Sequence, residues 1–89
     1  MLSKPIRGHP LSGGVPNWEP LLALTPGHID DFMWMFVVGC DDASRIHAFK
    51  HCCTRRYLHL GVDGCAFVWR PANRYYEIDA HRLLALVLA

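Results

Sequence analysis

Apolar and polar residues alternate along most of the segment 46–78, and short turn signals interrupt the alternation at intervals. Alternation with a period of two is typical of strands that bury one face. Asp63-Gly64 is a strong signal for a two-residue hairpin turn between two such strands. We therefore expect antiparallel hairpins, with further two-residue turns at Thr54-Arg55 and Ala72-Asn73.

Carried through these turns, the alternation assigns the large apolar residues to one face of the sheet. The assignment depends on the exact register, because a slip of one residue moves a whole strand's side chains to the opposite face. The predicted inner face comprises Phe32, Trp34, Phe36, Val38, Phe49, Leu58, Leu60, Phe67, Trp69, Tyr76 and Ile78. His47 and His51 fall on the same buried face, where we expect them to have structural roles.

The segment Phe32–Val38 fits two structures. Thr25 before Pro26 is typical of a helix start, and a helix from there would end at Gly39. The aromatic and β-branched residues of Phe32–Val38 favour a strand instead. We favour one helical turn followed by a strand, because the residues at 41–44 suit a hairpin connection. The helix is left open as the alternative.

The C-terminal segment 79–89 has the apolar spacing of an amphipathic helix. Asp79 is placed to cap it, and the stripe that would cover the inner face consists of Leu83, Leu84, Leu86, Val87 and Leu88. Residues 1–24 are rich in Pro and Gly and predict an irregular N-terminal arm. The expected fold is α+β: an antiparallel β-meander of about five strands with a C-terminal helix packed on one face. The arm (1–24) precedes a single domain (25–89).

Composition places the chain among small globular proteins. It has 89 residues, of which 52% are hydrophobic and 19% charged, and a formal net charge of +1. Such a chain builds one modest core, and its charge gives no strong argument for nucleic acid or a membrane as partner. The longest apolar run, Phe32–Cys40, is too short for a spanning helix, and no export signal is recognisable. We expect a cytoplasmic protein.

The cysteines and histidines do not have the spacing of a zinc module. In the expected meander Cys52 and Cys53 point to opposite faces at one end of the sheet, while Cys40 and Cys65 lie at the other end. We therefore expect reduced thiols, no metal and no cofactor. The pair of His51 and Cys53 is the only candidate for nucleophilic chemistry, and no oxyanion-binding motif accompanies it. We expect no enzyme.

The outer face of the predicted sheet carries the candidate functional surface. Its aromatic and basic part is the predicted binding surface: Lys50, Tyr57, His59, Arg70 and Tyr75. Its apolar part is a predicted dimer face: Met33, Met35 and Val37. The alternative for the second group is that the N-terminal arm folds back and covers it.

The leading hypothesis is a small non-enzymatic protein-interaction module that binds a protein partner or associates with itself. Its small size suggests an accessory or inhibitor protein of a bacterium or mobile element. One alternative is a single-stranded nucleic-acid-binding protein that uses the aromatic and basic outer face. Another is a small Cys/His-dependent enzyme or metal-binding protein. No membrane association is expected.

Overall fold

The computed structural model describes residues 5–89, and its six strands form a closed antiparallel barrel. The strands are β1 (Ile6–Pro10), β2 (Phe32–Cys40), β3 (Arg45–His51), β4 (Tyr57–Gly61), β5 (Ala66–Arg70) and β6 (Arg74–Ile78). The helical segments are α1 (Glu19–Leu24), a 3₁₀ helix (Pro26–Asp31) and α2 (Ala80–Leu88). Consecutive strands pair with each other, and β1 closes the barrel by pairing with both β2 and β6. Within residues 5–89, no helix combines the length and hydropathy that a membrane crossing requires.

The predicted α+β domain with an antiparallel sheet and a C-terminal helix is confirmed. The open meander of about five strands is corrected to six strands in a closed barrel. The additional strand, β1, and helix α1 lie in the segment predicted to be an irregular arm, whose residues 1–4 fall outside the described part of the chain. Gly8 and Pro10 obscure β1 in the sequence, because both residue types are depleted in strands. A Cβ atom at Gly8 would lie 3.0 Å from the Tyr75 side chain and 3.1 Å from the Val38 side chain, so a larger residue there would require both side chains to shift.

The closed sheet has two apolar sides. The helix-facing side is the outer surface of the barrel beneath the helices, where the buried residues are Phe32, Phe49, Leu58, Leu60 and Ala66, with Leu21, Leu83 and Val87 from α1 and α2. The lumen side is the interior of the barrel, where the buried residues are Val38, Cys40, Ile46, Phe67 and Tyr75, with Ile6, Phe36 and Cys65 packed against them. Closure thus buries a second face that an open sheet would expose to water.

The register of β5 differs from the prediction by one residue. His59 of β4 lies opposite Phe67. The connecting loop is longer than the expected two-residue turn, because the Asp63 side chain accepts a hydrogen bond from the Cys65 backbone amide at 3.0 Å. Phe67 and Trp69 were expected on the helix-facing side, and the slip turns them into the lumen.

The hairpin between β5 and β6 contains a compensating slip. Val68 lies opposite Tyr76, one residue from the predicted register. The turn is again longer than two residues, and its Ala72 and Asn73 both have positive φ. Because the second slip cancels the first, Tyr76 and Ile78 stay on the helix-facing side as predicted.

The turn between β3 and β4 also differs from the prediction. It is not a two-residue turn at Thr54-Arg55, since the connection spans residues 52–56. Phe49 lies opposite Leu58, two residues from the predicted partner Leu60. A shift of two residues leaves every side chain of β4 on its predicted face. Leu58 and Leu60 therefore share one buried face, the helix-facing side, as predicted.

A β-bulge between Trp34 and Phe36 divides β2 into halves of opposite phase. Phe32 and Trp34 lie on the helix-facing side as expected, whereas Phe36 and Val38 turn into the lumen. The segment that fitted both a helix and a strand is therefore a bulged strand, preceded by the expected short helical turn.

Helix α2 begins as predicted. The Asp79 carboxylate accepts a hydrogen bond from the Arg82 backbone amide at 3.0 Å, which satisfies one free amide of the first turn. Leu83 and Val87 are buried against the sheet, while Leu86 of the predicted stripe faces solvent. Helix α2 therefore covers the helix-facing side with fewer apolar residues than the sequence predicts.

The loop 52–56 fastens the C-terminus of α2 to the barrel. The Thr54 hydroxyl donates a hydrogen bond to the Val87 carbonyl at 2.7 Å, and the Arg56 guanidinium donates one to the Leu86 carbonyl at 2.6 Å. The carbonyls of a last helical turn have no partner within the helix. The loop supplies these partners, so its conformation and the position of α2 are coupled.

Replacing Leu83 by alanine should lower the free energy of unfolding by roughly 2–5 kcal/mol, because it leaves a cavity beneath α2. Leu83 is 6% exposed, whereas Leu86 on the same helix is 51% exposed. The control Leu86→Ala should cost less than about 0.5 kcal/mol. Urea unfolding followed by circular dichroism measures both. Equal losses would contradict the assignment of Leu83 to the core.

Candidate functional site

The barrel lumen opens at one end into a cavity of about 510 Å³, here called the mouth cavity. Its lining consists of Pro10, Phe36, Tyr57, His59, Phe67, Val68, Trp69, Arg70, Asn73 and Tyr75. Aromatic rings dominate this lining, and none of the described residues in it is acidic. Ligand pockets commonly have this volume and this mixture of many apolar and few polar groups.

Four of the five residues of the predicted binding surface line the mouth cavity: Tyr57, His59, Arg70 and Tyr75. The fifth, Lys50, lies beside it, with its Nζ atom 5.7 Å from the centroid of the Tyr57 ring. The prediction placed these residues on an exposed outer face. Closure of the sheet turns that face inward, so His59 and Tyr75 are buried while Tyr57 and Arg70 reach solvent.

The predicted dimer face is not a single surface. Met33 and Met35 are exposed, whereas Val37 is buried. The chain after β1 covers Val37: the Leu11 amide donates a hydrogen bond to its carbonyl at 3.0 Å, and Gly14 lies so close that a Cβ atom there would overlap the Val37 side chain. Of these three residues, Val37 alone is covered by the described part of the N-terminal segment.

One of the two exposed methionines lies beside the mouth cavity. Met33 is opposite Lys50 on β3, which is in turn opposite Tyr57 on β4, so the three lie in one row across the sheet. Together with Tyr57 and Trp69, which are 36% and 46% exposed, it forms an apolar rim: Met33, Tyr57 and Trp69. Met35 is exposed within the bulge of β2.

His59 lies within the mouth cavity among aromatic rings. The Tyr57 ring stacks on it, with centroids 5.7 Å apart and planes at 15°, and the Tyr75 ring meets it edge-on at 5.4 Å. Burial lowers the pKa of His59 to about 4. At neutral pH the imidazole is therefore uncharged. Its ring has one nitrogen that donates and one that accepts a hydrogen bond, and either can contact a bound group.

His47 and His51 are buried, as predicted, and hydrogen bonds account for both. The Trp34 indole donates to His47 Nδ1 at 2.9 Å. Burial, with a smaller effect from Arg45, lowers the pKa of His47. His51 Nδ1 accepts hydrogen bonds from the backbone amides of Cys53 and Thr54. These hydrogen bonds stabilise the local structure, and neither histidine lines the mouth cavity.

The prediction that Cys52 and Cys53 point to opposite faces is wrong. Consecutive side chains diverge in a strand, but both residues lie in the loop after β3. Their Sγ atoms are 3.7 Å apart. Cys40 and Cys65 lie at the opposite end of the barrel, as expected, because they belong to the end of β2 and the loop before β5.

Several residues of the mouth cavity were not predicted. They are Pro10, Phe36, Phe67, Val68, Trp69 and Asn73. Phe36 required the bulge in β2, Phe67 and Trp69 required the slip of β5, and Pro10 required β1. The one usable signal is Asp63, whose side chain can close a longer turn by accepting the amide two residues on.

Comparison of the chain with protein-family models, curated proteins and solved structures finds no match.

The free energy of unfolding should fall as the pH drops from about 6.5 to about 4. In this range His59 of the unfolded chain, with its ordinary pKa of 6.5, takes up a proton that the folded chain excludes until about pH 4. The unfolded state therefore binds more protons and gains free energy relative to the folded state as the pH falls. Integrated over the shift, His59 accounts for a loss of roughly 3 kcal/mol, all of it below pH 6.5.

Urea titrations at closely spaced pH values measure this dependence. His59→Gln should remove most of the slope between pH 6.5 and 4, with a remainder from His47. His81→Gln changes an exposed histidine on α2 and should leave the slope intact. An unchanged slope in His59→Gln would show that other groups cause the acid destabilisation.

Proposed function

We propose that the protein is a small non-enzymatic binding module that recognises a protein partner by taking one apolar or aromatic side chain into the mouth cavity. The observation that carries this proposal is the combination of an open, ring-lined cavity with the apolar rim around it. Aromatic residues and methionine are enriched at protein interfaces, and methionine adapts its shape to a partner.

The rim favours one side chain of a larger partner over a free small molecule. The cavity holds about 510 Å³, which accommodates a large side chain with room for part of its backbone. A free ligand of that size would be held by the lining alone. The rim adds apolar area outside the cavity, and such area is used by a partner that extends beyond it.

Polar groups at the mouth suit the backbone of a peptide. The Trp69 indole N–H donates to the Asn73 side-chain oxygen at 3.5 Å, which leaves the Asn73 amide N–H groups to a ligand. The Arg70 guanidinium donates one hydrogen bond to the Trp69 carbonyl at 2.8 Å and has further N–H groups in the lining. These groups supply hydrogen-bond donors next to an apolar slot. A peptide anchor residue flanked by backbone carbonyls matches that arrangement.

The lining also supports a binding role over catalysis. Its described residues include no cysteine, serine or carboxylate that His59 could activate, and the ring contacts of His59 are with Phe36, Tyr57 and Tyr75. Nucleophilic catalysis needs a nucleophile within hydrogen-bond reach of a base. The accessory or inhibitor role, the self-association and the cytoplasmic location inferred from the sequence stay predictions.

Selection of a random peptide library on the immobilised protein should enrich peptides with a central Trp, Phe, Leu or Met. Trp69→Ala removes a rim ring and should weaken the selected peptides by about 30-fold, the effect of losing a hot spot worth about 2 kcal/mol. The control Leu22→Ala removes an exposed apolar side chain from α1 and should not change their affinity. Fluorescence anisotropy of labelled peptides measures both.

Circular dichroism should first establish that both variants are folded. Peptides that bind wild type and Trp69→Ala equally well would place the binding surface elsewhere. A library without any enriched apolar anchor would contradict the proposed mode of recognition.

A second candidate function, single-strand nucleic-acid binding, is favoured by the cations at the same rim. Lys50 lies over the Tyr57 ring, and Arg70 lines a cavity without acidic residues among those described. Aromatic platforms flanked by basic residues are what single-stranded nucleic acids bind. The formal net charge of +1 gives this candidate little long-range attraction, which is why it ranks second.

Under this second candidate, a labelled single-stranded RNA should bind with an affinity that falls as salt rises. The double variant Lys50→Ala/Arg70→Ala should lose this binding, because it removes both rim cations. The charge-matched control Arg55→Ala/Arg82→Ala, at exposed positions outside the cavity lining, should retain it. Wild-type protein that retains no oligonucleotide at low salt would exclude the candidate.

A further inference from the structure

Three side chains that commonly ligate metals converge at the loop 52–56, outside the mouth cavity. One ligand atom each from His51, Cys52 and Cys53 lies within 4.8 Å of the others. Both cysteines are exposed, and the histidine is buried behind them. A cation from solvent can therefore reach the two sulfur atoms directly.

The loop holds both cysteines in place from the backbone. The amides of Cys53 and Thr54 each donate a hydrogen bond to His51 Nδ1 at 3.1 Å. The amide of Cys52 donates to the carbonyl of Asp31 at 2.8 Å. The amide of Arg55 donates to the carbonyl of His51 at 3.0 Å. The contacts of Cys52 and Arg55 do not involve the His51 ring, so they hold the main chain on either side of the thiols whether or not the ring binds a metal, and little further ordering of the two sulfur atoms is needed.

The separation of the sulfur atoms fits one coordination geometry. Two thiolates on a tetrahedral ion with metal–sulfur bonds of about 2.3 Å stand about 3.8 Å apart. The Sγ atoms of Cys52 and Cys53 are 3.7 Å apart. A linear two-coordinate ion with the same bonds would need about 4.6 Å. The pair is thus spaced as a bidentate ligand for a tetrahedral centre.

We propose that Cys52, Cys53 and His51 form a binding site for a tetrahedral thiophilic dication, of which Zn²⁺ is the ordinary representative. The two thiolates supply two ligands, the imidazole supplies the third, and water takes the fourth position. Binding converts two thiols to thiolates and releases two protons to solvent, and no electron is transferred.

Ligation changes the hydrogen bonds of His51. Its Nδ1 accepts two amides in the metal-free form, so the ring proton is on Nε2. Ligation through Nδ1 displaces the two amides, and ligation through Nε2 moves the proton to Nδ1, where it faces them. Either way both hydrogen bonds are lost, which weakens binding and makes the site exchangeable. The adjacent Thr54 also holds the end of α2, so metal binding and the docking of α2 are linked.

Cadmium is the probe of choice, because its thiolate complexes absorb in the ultraviolet. Titration of the fully reduced protein with Cd²⁺ should saturate at one equivalent, and Zn²⁺ should displace it. Cys52→Ser and Cys53→Ser should each weaken binding by about 100-fold or more, since each removes a direct ligand, and even supporting residues of metal sites contribute about 10- to 100-fold. The matched control Cys65→Ser, at the other end of the barrel, should leave the affinity unchanged.

His51→Gln tests the third ligand, because glutamine keeps an oxygen acceptor for the two amides. We expect a weakening of about 10-fold or more with the fold preserved by circular dichroism. Unchanged affinity would overturn the role of His51. Cd²⁺ binding that survives in the double variant Cys52→Ser/Cys53→Ser, or no saturable binding by wild type with both thiols titrated as free, would overturn the site as a whole.

Discussion

The pairing of β1 with β6 is the contact on which the mouth cavity depends. It is short, joining Ile6 to Tyr75 and Arg7 to Arg74. Without it the aromatic residues of the lumen side would lie on an open sheet and face water, the arrangement that the alternation pattern suggests. Closure removes both sheet edges and converts a flat face into a concave one. The burial of His59, and with it the lowered pKa, has the same origin.

The helix-facing side and the lumen side of the barrel have different structural roles. On the helix-facing side Phe49, Leu58 and Leu60 are completely buried under the helices, and dense packing of this kind carries most of the stability of a small domain. The lumen side keeps polar atoms, among them the ring nitrogens of His59 and the hydroxyl of Tyr75, and opens to solvent at one end. Side chains of the mouth can therefore change with little effect on the packed side.

The elements that could be predicted from the sequence are those with local causes. Asp79 caps α2 through its own side chain, and the alternation within β4 correctly groups Tyr57 with His59 on one face. The predicted faces are wrong where one extra residue enters a strand or a turn, because the alternation pattern does not reveal such a residue. These places are the bulge in β2 and the longer turns before and after β5. Each reverses a phase, so Phe67 was assigned to the wrong side although its strand was recognised. The convergence of Cys52 and Cys53 was missed for a related reason, because a turn brings together two side chains that a strand would separate.

The two compensating turns around β5 have a consequence for how this barrel can evolve. Moving one residue from one loop to the other would slide β5 by a single position while every other strand kept its register. Phe67 and Trp69 would then move to the helix-facing side, and the small Ala66 would take a lumen position. An insertion in one of these loops and a deletion in the other would leave the chain length unchanged. Together they would replace the aromatic lining of the mouth cavity with smaller side chains and widen it. Under the proposed binding role, relatives that take different side chains into the mouth cavity are therefore expected to differ first in the lengths of these two loops, before their strand residues change.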